Sequence, residues 1–166
     1  MMTTVQLDKK RHERKRFDCG VDALNNYLKL MAKQQSIKDN SRTYVLEDEK
    51  DPKYIMGYYT LTMVAIELKS LPLNLQRKHQ SSHSAGFIAR LAVDKRYVKK
   101  GFGAWLLVDA LKKLLMASDV VAFPLIIVDA KEGASAFYEK FGFTAFEDED
   151  NKLFITIADV RAGFSS

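Results

Sequence analysis

Cysteine is almost absent: Cys19 stands alone among 166 residues. No disulfide can close within the chain, so a small fold held together by crosslinks is excluded. Histidine is scarce too, with three residues, and no Cys/His cluster has metal-ligand spacing, which excludes structural zinc and leaves no metal expected. The longest apolar run covers 120–128 and contains Pro124. It is far short of the ~20 residues that cross a bilayer and reads as a buried strand. The first sixteen residues carry charge without the apolar stretch and small-residue cleavage site of a secretory signal. The expectation is a soluble cytoplasmic protein with no membrane partner.

What is present suits one globular unit. Apolar residues make up 47% and aromatics 11%, and a chain of this length can bury roughly 70% of its unfolded surface, so a single domain over 1–166 is expected. The net charge is +5, unevenly placed. Residues 1–42 hold ten Lys and Arg against five Asp and Glu, whereas 84–166 balance at eleven each. Within the front excess, Lys9, Lys10, Arg11, Arg14, Lys15 and Arg16 are opposed only by Glu13, and Lys29, Lys33, Lys38 and Arg42 follow. Such a run is either a solvated face or a surface for a polyanion, where several cations gain affinity by releasing counterions. Lys9 to Arg16 as a group, His12 included in the same basic face, together with Lys29, Lys33, Arg77 and Lys78, are the contacts that charge alone suggests.

Leu24, Tyr27, Leu28 and Met31 recur at helical spacing and predict a helix over 21–35. Residues 43–47 and 54–68 read as a hairpin around the turn chemistry of 48–52. Residues 68–86 show no period. A strand over 87–93 ends at Asp94, a basic turn follows, and Leu106, Leu107, Ala110, Leu111, Leu114 and Leu115 stripe a long helix. A buried strand over 125–128, a short helix over about 132–141 stopped by Gly142, and a closing pair at 144–146 and 153–158 complete the chain. That order gives a mixed α/β sheet with helices packed on it.

Chemistry concentrates in two segments. In Arg90-Leu-Ala-Val-Asp-Lys-Arg-Tyr-Val-Lys-Lys-Gly-Phe-Gly-Ala104 a strand feeds a glycine turn that opens a helix. Glycines allow close backbone approach, and free N–H groups at the positive end of the helix dipole suit a phosphate. An ordinary strand-to-helix connection has the same ingredients. No Gly-Lys-Ser/Thr follows, and the third glycine of a dinucleotide fingerprint is missing. The second segment runs Val128-Asp-Ala-Lys-Glu-Gly-Ala134-Ser-Ala-Phe137-Tyr138-Glu-Lys-Phe-Gly142-Phe143.

In this order the pair resembles the GNAT superfamily of N-acetyltransferases, in which a Gly-x-Gly/Ala pyrophosphate turn precedes a Phe-Tyr-x-x-x-Gly-Phe helix. Phe17-Asp-Cys-Gly20, Leu24-Asn-Asn-Tyr-Leu28, Ala32, Ala89-Arg-Leu-Ala-Val-Asp94 and Val128-Asp-Ala130 extend the likeness over most of the chain, toward the GNAT toxins of bacterial toxin–antitoxin pairs. The resemblance implies a central, mixed and partly splayed sheet flanked by helices. It also implies an acetyl-CoA co-substrate, transfer of acetyl to the α-amine of aminoacyl-tRNA, translation block, neutralisation by a small DNA-binding antitoxin, and a homodimer. Val98 and Lys99 depart from the family turn, which has a polar residue and commonly glycine at those positions.

By that resemblance, Lys99, Lys100, Gly101, Phe102, Gly103 and Ala104 cradle the diphosphate. The main chain of Leu91, Ala92 and Val93 holds the pantetheine arm, Ala134 and Phe137 line the cofactor, and Tyr138 is the general acid for the leaving thiolate. An amine ester-linked through its own carboxyl has a pKa below the ~7.7–8.0 of a free α-amine, so a strong base is less necessary than for lysine at ~10.4. Cys19 reads as a structural thiol, since no base accompanies it. A GNAT acting on a protein or small-molecule amine, and a catalytically silent nucleic-acid-binding module, remain the rival expectations.

Overall fold

The computed structural model describes residues 2–130, 133–149 and 151–165. Seven strands form one sheet: β1 (Thr4–Gln6), β2 (Arg42–Glu47), β3 (Ile55–Ala65), β4 (Ser84–Val93), β5 (Leu125–Asp129), β6 (Thr144–Ala145) and β7 (Lys152–Thr156), hydrogen-bonded in the order β1-β2-β3-β4-β5-β7-β6. The chain divides into two compact units, 1–62 with 89–110 and 63–88 with 111–166.

In the first unit β1, β2 and β3 pair antiparallel, with Val5 opposite Val45 and Val45 opposite Tyr58. Residues 55–60 of β3 are all buried, the pattern of a strand covered on both faces. One face packs against a helix that runs as α1 (Asp22–Asn26), passes through a π segment (Tyr27–Met31) and resumes as α2 (Ala32–Ile37). Leu24, Tyr27, Leu28 and Ala32 bury its stripe against Val45, Tyr58 and Ala92, and the Tyr58 hydroxyl donates to the Leu24 carbonyl at 2.7 Å. The other face meets the first half of α4 (Phe102–Val120). Gly57 permits this approach, since a Cβ there would lie 2.7 Å from Leu106 Cδ1 and 2.9 Å from the Ala92 carbonyl. Tyr59 donates to Asp109 on α4 at 2.6 Å, and Thr4 of β1 donates to the same oxygen at 2.7 Å.

In the second unit β5 lies parallel to β4 over Gly86–Ile88 and antiparallel to β7. Leu71, Ala85, Leu125, Ile127, Phe146 and Phe154 form its core. Three helices belong to it besides the end of α4: α3 (Leu73–Lys78), α5 (Ser135–Glu139) and α6 (Ile157–Ser165). Gly142 ends α5 with φ +94°, and the Phe143 amide turns back to the Tyr138 carbonyl.

The structure extends the expected order at three places. β1 precedes the basic segment, α3 lies in the stretch without a period, and the closing strand stops at Thr156, where α6 begins. The helix expected from about residue 132 starts at Ser135, and Glu132 lies outside the described residues.

Candidate active site

In the first unit the end of β4, the following turn and the start of α4 form one continuous device. Pairing of β4 with β5 runs from Gly86↔Ile126 to Ile88↔Val128, and Leu91, Ala92 and Val93 follow on β4. Asp94 closes the strand. It is fully buried, and its carboxylate accepts from the amide and Nε of Arg96 through Oδ1, and from Arg96 Nη2 and the Asp18 amide through Oδ2, all within 3.0 Å. Burial lifts this carboxyl above its ordinary range, against the pull of the Asp18 amide. Tyr97 donates to Asp48 at 2.6 Å, which pushes the phenol up to about 12 and lowers the carboxyl.

The turn then reverses through two left-handed residues, Lys99 at φ +64° and Gly101 at φ +79°. The lysine occupies a conformation that glycine adopts freely and an L side chain rarely does. Beyond it the first amides of α4, those of Phe102, Gly103 and Ala104, have no intrahelical acceptor. Among the described residues no side chain or carbonyl takes them. Lys99 and Lys100 are exposed beside them. Free amides at the positive end of a nineteen-residue helix, with two ammonium groups close in sequence, have the chemistry to accept a phosphate oxyanion.

In the second unit Ala134 caps α5, its carbonyl accepting from Phe137 and Tyr138. The Tyr138 ring is buried, 7% exposed, between Phe137 at 5.1 Å and Phe143 at 5.6 Å, both edge-on. Burial, with the Asp129 charge second, pushes its phenol up to about 12. Among the described residues no hydrogen bond engages the hydroxyl, and no buried polar side-chain atom lacks a partner. With its phenol pushed up, the hydroxyl is protonated at neutral pH and can act as a donor.

The basic residues separate into engaged and open groups. Arg11 pairs with Glu47 at 2.6 Å, Arg14 donates to the Lys29 carbonyl, and Arg16 lies 3.9 Å above the Tyr54 ring. Lys9, Lys10 and Lys15 are exposed, while Lys29 and Lys33 are half-buried. His12 does not belong to the basic face: it is 4% exposed, its Nδ1 accepts from the Asp8 amide, and its Nε2 donates to Glu47 at 2.8 Å. Glu47 is the reason, a carboxylate from β2 that the local sequence does not show. Arg77 and Lys78 fall on α3 in the second unit, where Lys78, His79 and Arg161 line a cavity of about 600 Å³. Cys19 is half-buried, its thiol pushed up by burial, and so holds no ready thiolate.

A family model described as the acetyltransferase (GNAT) domain matches residues 74–161. The chain belongs to the GNAT acetyltransferases. It is 28% identical to a tRNA-acetylating toxin of Mycobacterium tuberculosis, over 88% of this chain and 87% of that one. A tyrosine-to-phenylalanine mutant of KacT superimposes with a TM-score of 0.91 at 30% identity, covering 98% of this chain and 99% of that one. AtaT complexed with acetyl-methionyl-tRNAfMet superimposes with a TM-score of 0.89 at 28% identity, covering 99% of each. As a GNAT acetyltransferase the chain draws on acetyl-CoA, and the uncapped amides of Phe102, Gly103 and Ala104 fit the diphosphate of that molecule.

Proposed function

We propose that this GNAT acetyltransferase is the toxin of a toxin–antitoxin pair and acetylates the α-amine of aminoacyl-tRNA, thereby blocking translation in the cytoplasm. The observation that carries the reading is likeness along nearly the whole chain to a protein named as a tRNA-acetylating toxin. AtaT, whose solved complex contains an acetylated aminoacyl-tRNA, is similar over 99% of its length. A small DNA-binding antitoxin as neutralising partner, and a homodimer as the working form, belong to the same proposal.

Acetyl-CoA supplies an acetyl group activated as a thioester. The chain's own residues do the rest. The amides of Phe102, Gly103 and Ala104, helped by Lys99 and Lys100, hold the diphosphate, Ala134 and Phe137 line the coenzyme, and a main-chain N–H of Leu91, Ala92 or Val93 polarises the acyl oxygen. Tyr138 holds the proton for the leaving sulfur. With its phenol near 12 and a thiol near ~8.5, free transfer is uphill by roughly 5 kcal/mol. The hydroxyl therefore donates a hydrogen bond as the C–S bond stretches and releases its proton only with cleavage. The attacking amine needs little help, because an aminoacyl ester is substantially neutral at physiological pH.

Incubating the purified chain with labelled acetyl-CoA and total charged tRNA, with and without protein fractions and polyamines, tests the assignment. Label on the aminoacyl end of tRNA is expected. Label in protein or small amines makes the chain a different GNAT, and no label makes it a silent nucleic-acid-binding module.

A further inference from the structure

Arg90 stands in β4 directly before Leu91. Alternate strand residues share a face, and Ala92, two along, is buried with Leu24, Tyr27, Leu28 and Tyr58. Arg90 therefore lies on the face covered by the π-containing helix. Its Cζ sits 3.7 Å from the centre of the Tyr27 ring. That ring is held firmly: Tyr27 is 4% exposed, opens the π segment, and shares a hydrogen bond with Ser41 at 3.1 Å. Single π turns in helices often sit at functional places.

Arg90 is half-buried, and such a guanidinium ordinarily has a carboxylate beside it. Here none is found. Among the described residues it makes no ion pair and no hydrogen bond, and it stacks on the Tyr27 ring. One flat side of the Arg90 guanidinium is thus occupied by an aromatic ring, while its donor edge is left for something else. A pre-oriented fork of N–H donors fits a phosphodiester bidentately, and an open guanidinium plane accepts an unstacked base.

We propose that Arg90 binds a phosphodiester in the single-stranded 3′ end of the aminoacyl-tRNA and so sets the acceptor amine against the strand segment Leu91–Val93. This rests on the aminoacyl-tRNA reading above. It makes Arg90 a residue that separates nucleotide-borne α-amines from free ones, since an acceptor without a phosphodiester offers nothing to the fork.

The test compares acceptors carrying one amino acid on adenosine, on cytidylyl-adenosine and on whole tRNA. Wild type is expected to use the dinucleotide at least about tenfold better than the adenosine ester in kcat/KM, the scale of one charge-assisted contact. Arg90→Ala is expected to erase that ratio while leaving acetyl-CoA affinity and turnover of the adenosine ester within about twofold. Arg90→Lys, which keeps charge and stem, retains part of the ratio and replaces the alanine variant where alanine unfolds the chain. An Arg90→Ala ratio equal to wild type overturns the proposal, and so does an equal fall with every acceptor, which marks a merely structural role. Wild type that labels protein or polyamine but none of the three aminoacyl acceptors overturns the aminoacyl-tRNA reading itself, a result separate from either of those.

Discussion

Asp94 and Arg96 grip each other across a single intervening residue: three Arg96 donors, its amide, Nε and Nη2, fall on the Asp94 carboxylate at 2.8–2.9 Å. The fourth donor is the Asp18 amide, and Arg96 Nη2 also reaches the Arg16 carbonyl. One buried carboxylate thus ties the end of β4 and the start of the following turn to the loop at 16–20. Asp94→Ala leaves the fork and the Asp18 amide without their acceptor. Losing a charged acceptor typically costs about 1.5–3 kcal/mol, so thermal melting should fall by roughly 3–12 °C. Arg96→Ala should cost more, about 3–5 kcal/mol, because it leaves the fully buried Asp94 carboxylate without its counter-charge. The double variant should cost less than the sum of the two, and strict additivity in urea titrations would refute the pairing as the dominant interaction.

The neighbouring pair predicts an acid dependence. The Lys95 ammonium lies 2.9 Å from Asp18, and with the Gly20 amide and Asn25 it holds the Asp18 carboxyl well below the usual carboxylate range. A carboxyl lowered on folding stabilises fully above its unfolded value near 3.8, and that stabilisation fades as pH falls below it, when the folded chain must take up the proton. Melting temperature followed from pH 5 down to pH 2 should therefore drop more steeply for wild type than for Asp18→Asn. Parallel curves would show that the pair carries no linkage.

The turn offers opposite predictions at two positions. Lys99 and Gly101 both have positive φ, but only one is glycine. Nothing lies within 4 Å of where a Gly101 Cβ would stand, so Gly101→Ala should lose about 1–2 kcal/mol through backbone conformation alone. Lys99→Gly relieves the same strain, offset by a more flexible unfolded chain, for a net gain of up to about 1 kcal/mol. Calorimetry with acetyl-CoA should show the reverse ranking for charge: Lys99→Gly binds the coenzyme more weakly despite its greater stability. Tighter binding would mean that the ammonium plays no part.

Tyr138→Phe removes one hydroxyl from a ring that is otherwise held by Phe137 and Phe143. Packing should survive, with melting within about 1 °C per few tenths of a kcal/mol changed. Single-turnover acetyl transfer should slow by about 10²-fold or more, with acetyl-CoA affinity unchanged. Since burial pushes the phenol up to about 12, the wild-type rate should rise with deprotonation of the acceptor amine and show no falling limb through pH 10. An unchanged rate in the phenylalanine variant takes Tyr138 out of the chemistry.

What could be read from the sequence followed how local each signal is. The stripes of the first helix and of α4 and the glycines of the turn are repeated or adjacent, so each element announces itself. The three residues of β1 are too few to show alternation. α6 buries only Ile157 and Val160 directly after a strand whose pattern blends into it. The environment of His12 depends on Glu47, that of Asp94 on Asp18, and that of Arg90 on Tyr27. Each pair is separated by dozens of residues, and no spacing rule joins them. Tyr138 was readable as a motif residue, whereas its buried ring and unengaged hydroxyl are products of packing.

The basic front of the chain gives the prediction in which charge alone is at stake. Arg11, Arg14 and Arg16 already have partners in Glu47, the Lys29 carbonyl and the Tyr54 ring. The side chains of Lys9, Lys10 and Lys15 have none among the described residues, and these lysines are exposed. Counterion release depends on cations free to meet phosphates, and each such contact contributes about 0.7–0.9 to the slope of log affinity against log salt. Reversing Lys9, Lys10 and Lys15 to glutamate should therefore weaken tRNA binding at low salt and flatten that slope by roughly 2 to 3. Arg11→Ala should barely move the slope, because its charge is already balanced by Glu47, yet it should lower stability by loosening the carboxylate that receives His12. Filter binding from low to moderate salt reads both effects. A triple variant with the wild-type slope would return these lysines to the status of a solvated face, and a steep change from Arg11→Ala would show that the Glu47 pair opens when RNA binds.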